Sequence, residues 1–502
     1  MNYTSTRNSE ISASCSEVIS KGISDDGGLF VPTELPRYSI SDIGKLINSN
    51  YIFIAKTLLA PFLSDFSHSE IEQSLNCAYS SKKFGSCCPT PLRSNFTNFK
   101  NLSILELFHG PTLAFKDIAL QLLPELLTKS IHKKYPNKSA LLMVGTSGDT
   151  GKAALEGFKN VDNTKLIVFY PKDGVSNIQK LQMQTQEGNN LNVCAVDGNF
   201  DDAQTQVKNI FTDAYARKVL VDHNLIFSSA NSINWGRLLP QIVYYFSAYL
   251  DLLNNNTISL GDKINFVVPT GNFGNILAGF YAKEMGLPIN KLICASNANN
   301  VLTEFINTGT YNKNRDFHLT ISPSMDILVS SNLERLLYHL SGSNTALVSK
   351  YMSELKSRGK YTVDEKIYNQ IKGHFFAESC TDKETKETIK MFFESENYLL
   401  DPHSAVALNV YLKYLRKTND NTHTVLLSTA SAYKFPVDVL SSIDNKSKPQ
   451  NEFEALNLLS SKTQTAIPRQ ISELLSKKIN FQNECQKDNM INSVLKFIER
   501  KK

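Results

Sequence analysis

Leu141-Leu142-Met143-Val144-Gly145-Thr146-Ser147-Gly148-Asp149-Thr150-Gly151-Lys152 is the stretch that decides the fold class. Its first four residues are a short apolar run bounded by glycine, the pattern of a strand covered on both faces, and helical spacing runs from Lys152 to Lys159. The alternation continues outward. Leu166 to Tyr170 reads as a strand closed by Pro171, Val175 to Glu187 as a helix, Leu191 to Val196 as a strand and Asp201 to Lys218 as a helix. Strands alternating with helices specify a parallel sheet with crossover connections. The pattern returns at the strand Ile264 to Val268, followed by Ile276 to Met285 with Ile276/Phe280 and Leu277/Tyr281 at helical spacing. It returns again at the helix Ser404 to Lys417 and the strand Thr424 to Leu427.

The expected architecture is α/β, with two lobes of parallel sheet flanked by helices and a cleft between them. Boundaries are placed at 1–95 for an N-terminal domain, 96–140 with 240–440 for the large lobe, 141–239 for the smaller lobe and 441–502 for a C-terminal extension. The polar stretch Ser441 to Glu452 reads as the linker into that extension.

Composition excludes several function classes. The chain has 502 residues, with 53 Lys+Arg against 48 Asp+Glu, and the +5 surplus is dispersed. Nucleic-acid binding asks for a concentrated basic face, so no nucleic-acid partner is expected. Met1 to Glu10 lacks an apolar signal region. The apolar stretches Tyr51 to Leu63 and Gln241 to Leu253 fall short of the roughly 20 residues that span a bilayer, and Lys56 and Asp251 interrupt them. No membrane is expected, and the location read from this is cytoplasmic. The eight cysteines form no CxxC pair and the histidines are not spaced around them as zinc ligands, so no metal site is expected and the thiols are read as reduced. The adjacent Cys87 and Cys88 read as a redox site or as plain loop thiols.

Three glycine-containing loops follow strands, where open α/β sheets bind ligands. The first, Glu106 to Asp117, holds Lys116 at the mouth of a helix beside Phe115. A desolvated lysine there would favour the neutral, nucleophilic amine, although spacing alone favours a surface lysine opening the helix. Pro124 disturbs the regularity of that helix. The second, Gly145 to Lys152, fails the Walker pattern because Thr146 replaces a glycine and Ala153 follows the lysine. What remains is a turn suited to a carboxylate or phosphate, with Ser147 and Thr150 hydroxyls at a helix N-terminus. The third, Thr270 to Asn275, has two glycines that let backbone approach an anion at another helix start.

Together these motifs closely resemble the threonine synthase family, pyridoxal-phosphate enzymes of fold type II (tryptophan synthase β-like), in its longer fungal and bacterial variant. The resemblance begins with Tyr3 to Arg7 and Asp26 to Pro32. It runs through Phe108 to Asp117, Gly145 to Gly151, Asn231 to Arg237, Val268 to Asn275, Ser322 to Leu328, Ser330 to Arg335, Asp401 to His403 and Ser428 to Ala430. It implies that 96–140 with 240–440 binds the cofactor, pyridoxal 5'-phosphate, and that Lys116 carries it as an internal aldimine. It places Gly271, Asn272, Phe273 and Asn275 at the cofactor phosphate and Thr429 at the pyridine nitrogen. Ser147, Asp149, Thr150, Asn231, Ser232, Asn234 and Arg237 become candidates for the substrate's carboxylate and phosphate, with Arg237 preferred for phosphate because a guanidinium binds it bidentately.

The activity so implied is conversion of O-phospho-L-homoserine and water to L-threonine and phosphate by γ-elimination and β-addition of water, the last step of threonine biosynthesis, in a monomer or small homo-oligomer. Two alternatives stay open: a related phospho-lyase releasing 2-oxobutyrate, and a catalytically silent scaffold. The chain departs from the family at Asn275, where an acidic residue is common, and at Ser431, where a histidine is common. His109 reads as a ligand contact or a structural histidine, and His403 as a helix-starting residue.

Overall fold

The computed structural model describes residues 1–500 except 147, 174 and 199. Its larger sheet has six strands in the order Phe375–Ser379, Ile289–Ser296, Ile264–Pro269, Thr424–Ser428, Leu102–Glu106 and Leu92–Arg93. All neighbours are parallel except the last pair. The smaller sheet is wholly parallel, in the order Asn483–Gln486, Leu191–Asp197, Thr164–Pro171, Ser139–Gly145 and Leu225–Ser229. Ile264–Pro269 and Thr424–Ser428 are buried at every position, as helices on both faces require.

Two helices differ from the sequence reading. Pro124 does not bend a helix that starts at Lys116. A first helix, Lys116–Leu120, ends before it and a second, Leu123–Lys134, starts with proline in its first turn, where the missing N–H costs nothing. Asp201 to Lys218 likewise divides into Phe200–Thr212 and Ala214–Asp222, because the Asp213 side chain accepts from Ala216 N–H and caps the second.

The N-terminal segment is fastened to the large lobe. Within the segment Tyr3 donates to Phe62 O at 2.8 Å, and it packs edge-on against Trp235, the first residue of the helix Trp235–Asn254 that runs on into the large lobe. Arg7 forms a fork to Glu334, with both hydrogen bonds at 2.8 Å. The fully buried Arg335 donates to Phe30 O at 2.9 Å.

The C-terminal segment is not a separate appendage. It leaves the large lobe through Glu452–Thr463, which packs on Pro436–Ile443, and then adds Asn483–Gln486 as an edge strand of the small sheet. Among the described residues no helix is long and apolar enough to cross a membrane.

Candidate active site

The cleft lies where both lobes turn strand ends toward each other. Its walls include Gly145, Thr146 and Thr150 from the small lobe, the loop 269–275 from the large lobe, and Lys116.

Lys116 is the first residue of its helix, and the preceding turn is fixed by a neighbouring strand end. Leu113 has φ 59°, in the left-handed region. Its carbonyl accepts from Ser431 N–H at 3.1 Å, while Phe115 N–H donates to Thr429 O at 2.8 Å. Lys116 Nζ lies 3.3 Å from Ser324 Oγ and 3.6 Å from Asp149 Oδ2. Desolvation lowers its pKa, and of the surrounding charges Asp149 opposes that while Lys434 and Arg237 reinforce it. The net direction is toward the neutral amine.

Behind Lys116 lies a buried ion pair. Lys434, with no exposed surface, donates to Asp149 Oδ1 at 2.5 Å and to Thr112 O at 3.0 Å. Gln179 donates to the same oxygen at 2.9 Å, and Ser324 Oγ to the other at 3.2 Å. Burial pushes the Asp149 carboxyl up, but the two lysines outweigh it and hold it well below the usual range.

Ser324 sits in the short turn Pro323–Met325, pressed against the glycine loop: a Cβ on Gly271 would come within 2.8 Å of Ser324 O. A side chain there would push the loop off this turn. Ser324 N–H donates to His403 Nε2 at 3.1 Å, and His403 Nδ1 is 2.8 Å from Asp401 Oδ1. An acceptor at Nε2 puts the proton on Nδ1, so His403 is the neutral tautomer with Asp401 as its acceptor.

Across the cleft, Asn231, Ser232 and Arg237 line the wall. Arg237 is buried; its Nη1 donates to Ala230 O at 2.5 Å, and its Nε has no partner among the described residues. The loop 271–275 leads into the helix Gly274–Glu284 through Phe273 at φ 62°. Asn275 Oδ1 accepts from Tyr244 and Tyr245 hydroxyls, leaving Nδ2 buried without a partner among the described residues. Thr429 follows the strand Thr424–Ser428 and lines the same cleft.

Gly271, Asn272, Phe273, Asn275, Thr429, Thr150, Asn231, Ser232 and Arg237 are thus brought together around Lys116. Ser147 lies outside the described residues. Two of the candidates are engaged elsewhere. Both Asp149 oxygens are engaged behind Lys116, and an anion held there would repel a carboxylate or phosphate. Asn234 spends its amide on Ile19 O and Ser229 O and its Oδ1 on Gly236 N–H as a helix cap, and it does not line the cleft.

Ser431 caps the turn Ala432–Lys434, accepting from Tyr433 N–H, and also lies off the cleft. His109 is 2.7 Å from Glu106 Oε2, outside the cleft wall. Sequence reasoning missed Ser324 and Lys434 and gave His403 only a helix-starting role. His403 does stand in the first turn of Pro402–Thr418, but it also lines the cleft.

Comparison with known proteins matches three family models along the chain. They are the threonine synthase N terminus over residues 2–79, a pyridoxal-phosphate dependent enzyme over 87–430 and the threonine synthase C-terminal model over 404–494. Threonine synthase-like 1 of Homo sapiens is 39% identical over 457 residues, 89% of this chain and 60% of that protein, so the chain spans about 60% of that relative's length. Threonine synthase of Schizosaccharomyces pombe is 38% identical over 465 residues, covering 87% of this chain and 88% of that protein. The crystal structure of pyridoxal-phosphate-bound threonine synthase from Brucella melitensis superposes with a TM-score of 0.86 at 35% identity, covering 100% of both chains.

Proposed function

The chain belongs to the threonine synthase family, and from that premise we propose that it converts O-phospho-L-homoserine and water to L-threonine and phosphate. The observation that carries this reading is the desolvated Lys116 facing, in one cleft, two buried donors without partners among the described residues, Arg237 Nε and Asn275 Nδ2. Buried donors left unpaired cost about 1–3 kcal/mol each unless a ligand satisfies them. They call for acceptor-rich ligands, and the proposed substrate and cofactor each carry a phosphate.

The residues fit pyridoxal phosphate. The helix start at Gly274 and the close-packed Gly271 make the third loop a seat for its phosphate, with Asn272, Phe273 and Asn275 in the same loop. Thr429, beside the Lys116 turn, is our choice for the ring nitrogen. When bound, the cofactor supplies an aldehyde that joins an amine and a conjugated ring that accepts electrons from the substrate's α carbon.

The chain's own residues supply the rest. Lys116, kept toward its neutral form by burial, is the amine that would hold the cofactor and that, when free, would move protons at the substrate's α and β carbons. Ser324 Oγ, between Lys116 Nζ and Asp149 Oδ2, orients that amine, and His403 holds Ser324 from its backbone side. Arg237 binds the substrate phosphate through its free Nε, with Ser147, Thr150, Asn231 and Ser232 as the remaining substrate contacts. Drawing the small lobe onto the large one would exclude water from all but the position where it adds.

We assign the protein to the cytoplasm, as a monomer or small homo-oligomer without nucleic-acid or membrane partners. The test is product analysis on O-phospho-L-homoserine. Threonine with equimolar phosphate is expected, whereas 2-oxobutyrate without threonine would replace the synthase reading by a phospho-lyase, and neither product would leave a silent scaffold.

A further inference from the structure

The edge strand Asn483–Gln486 brings a second thiol beside a buried one. In the parallel register Asn483 faces Cys194 and Cys485 faces Val196, so Cys194 and Cys485 are diagonal neighbours on one face of the sheet. Their Sγ atoms are 3.3 Å apart, a contact that small side-chain rotations close to a bond of about 2.05 Å. Cys194 is buried, whereas Cys485 is half-buried and lines an open cavity with Lys172, Asp197, Gln486, Asn489 and Lys496. A soluble reagent therefore reaches one sulfur of the pair and not the other.

We propose that Cys194 and Cys485 form a reversible dithiol–disulfide site, oxidised by a small disulfide of the glutathione type, that locks the C-terminal segment onto the small lobe. The roles of the two sulfurs differ. The contact from Cys194 lowers the Cys485 thiol to about 7, which makes it the attacking thiolate. The same contact, with burial, pushes Cys194 up, which makes it the resolving thiol.

In the first step Cys485 Sγ, having given up its proton, bonds to one sulfur of oxidised glutathione. The glutathione disulfide breaks and one glutathione leaves, taking up a proton. In the second step Cys194 loses its proton and its Sγ displaces the other glutathione from Cys485. Two thiols have lost two protons and two electrons, and one glutathione disulfide has become two thiols. Because the segment is rooted on the large lobe through Glu452–Thr463, the new bond adds a third covalent connection to the two chain crossings between the lobes.

Three of the other cysteines, Cys15, Cys294 and Cys380, are buried, and burial raises their pKa values. Cys77 and Cys87 are exposed and Cys88 is half-exposed, so these three are the competitors for the oxidant. The test oxidises the reduced, cofactor-loaded enzyme with glutathione disulfide, alkylates it, and maps tryptic peptides without reduction. Residues 181–208 and 479–487 each carry one cysteine. These two peptides should appear joined, two hydrogens lighter than their sum, and dithiothreitol should separate them.

Of the eight thiols, two should be lost to this bond. Cys194→Ser should leave Cys485 carrying one glutathione, and Cys485→Ser should remove the joined species while the reduced enzyme turns over as before. Recovery of the two peptides separately after oxidation, or Cys485 joined instead to Cys77, Cys87 or Cys88, overturns the proposal.

Discussion

Lys434 Nζ stands 2.5 Å from Asp149 Oδ1, and the other oxygen of that carboxylate stands 3.6 Å from Lys116 Nζ. Asp149 is thus shared between two buried lysines, and Lys434 takes most of its charge. Were Lys434 absent, the carboxylate would turn wholly to Lys116 and draw it toward the ammonium, which neither joins an aldehyde nor accepts a proton. Lys434 is therefore a positioning residue that keeps Lys116 reactive from behind.

Lys434→Met should raise the Lys116 pKa twice over, by removing a repelling cation and by freeing Asp149. The rise of cofactor capture by the apo-protein with pH should therefore move in the alkaline direction. Leaving a buried carboxylate half-compensated should also cost about 3–5 kcal/mol of stability. Lys434→Arg keeps the charge and should restore the pH profile better than the melting temperature. A profile unmoved in Lys434→Met would mean that Asp149 does not govern Lys116.

Lys116→Ala should lower turnover by at least about a thousandfold, because it removes both the cofactor's attachment and the proton carrier. The fold should survive. Lys116 opens a helix, alanine is the best helix former, and Asp149 keeps Lys434 as its counter-ion. Circular dichroism and melting should match the parent within about 1 kcal/mol, so activity lost together with structure would not support this assignment.

How much of this was legible follows from range in sequence. The strands read at 141–144, 166–170, 191–196, 264–268 and 424–427 and the loops at 106–117, 145–152 and 270–275 are local patterns, so they could be read directly. What turns Lys116 into a tuned amine is not local. Ser324 is 208 residues away and Lys434 meets Asp149 across 285, and a buried lysine looks like any other lysine in a sequence. Asn234 sits inside a recognisable segment, and its spending on a helix cap is equally invisible in the sequence. The strand Asn483–Gln486 carries Asn-Glu-Cys-Gln, mostly exposed, with no apolar alternation to announce it.

Arg237→Ala should raise KM for the phosphorylated substrate about 10- to 150-fold, the worth of one charge-assisted contact of about 1.5–3 kcal/mol. Cofactor affinity should change far less, because the loop 271–275 is the proposed seat of the other phosphate. Equilibrium dialysis of the cofactor beside steady-state kinetics separates the two effects. A loss of cofactor binding larger than the rise in KM would assign Arg237 to the cofactor's phosphate instead.

Asp117 gives a pH dependence that belongs to the fold. Its carboxylate is fully buried against Gly110 and accepts from Thr112 N–H at 2.8 Å and Thr112 Oγ at 2.7 Å, and burial outweighs these bonds and raises its pKa to about 6. A raised carboxyl binds its proton more tightly folded than unfolded, so its contribution is complete below the unfolded value of about 3.9 and is lost as pH rises through 6. That loss amounts to about 3 kcal/mol for a shift of some two units. Asp117→Asn accepts from Thr112 N–H in the same way, donates to its hydroxyl and does not titrate. Its stability relative to the parent should therefore increase between pH 4 and 6 and stay level above, as read from denaturant melts across that range. Parallel curves for the two proteins would show that Asp117 is ionised throughout, and that its bonds from Thr112 outweigh its burial.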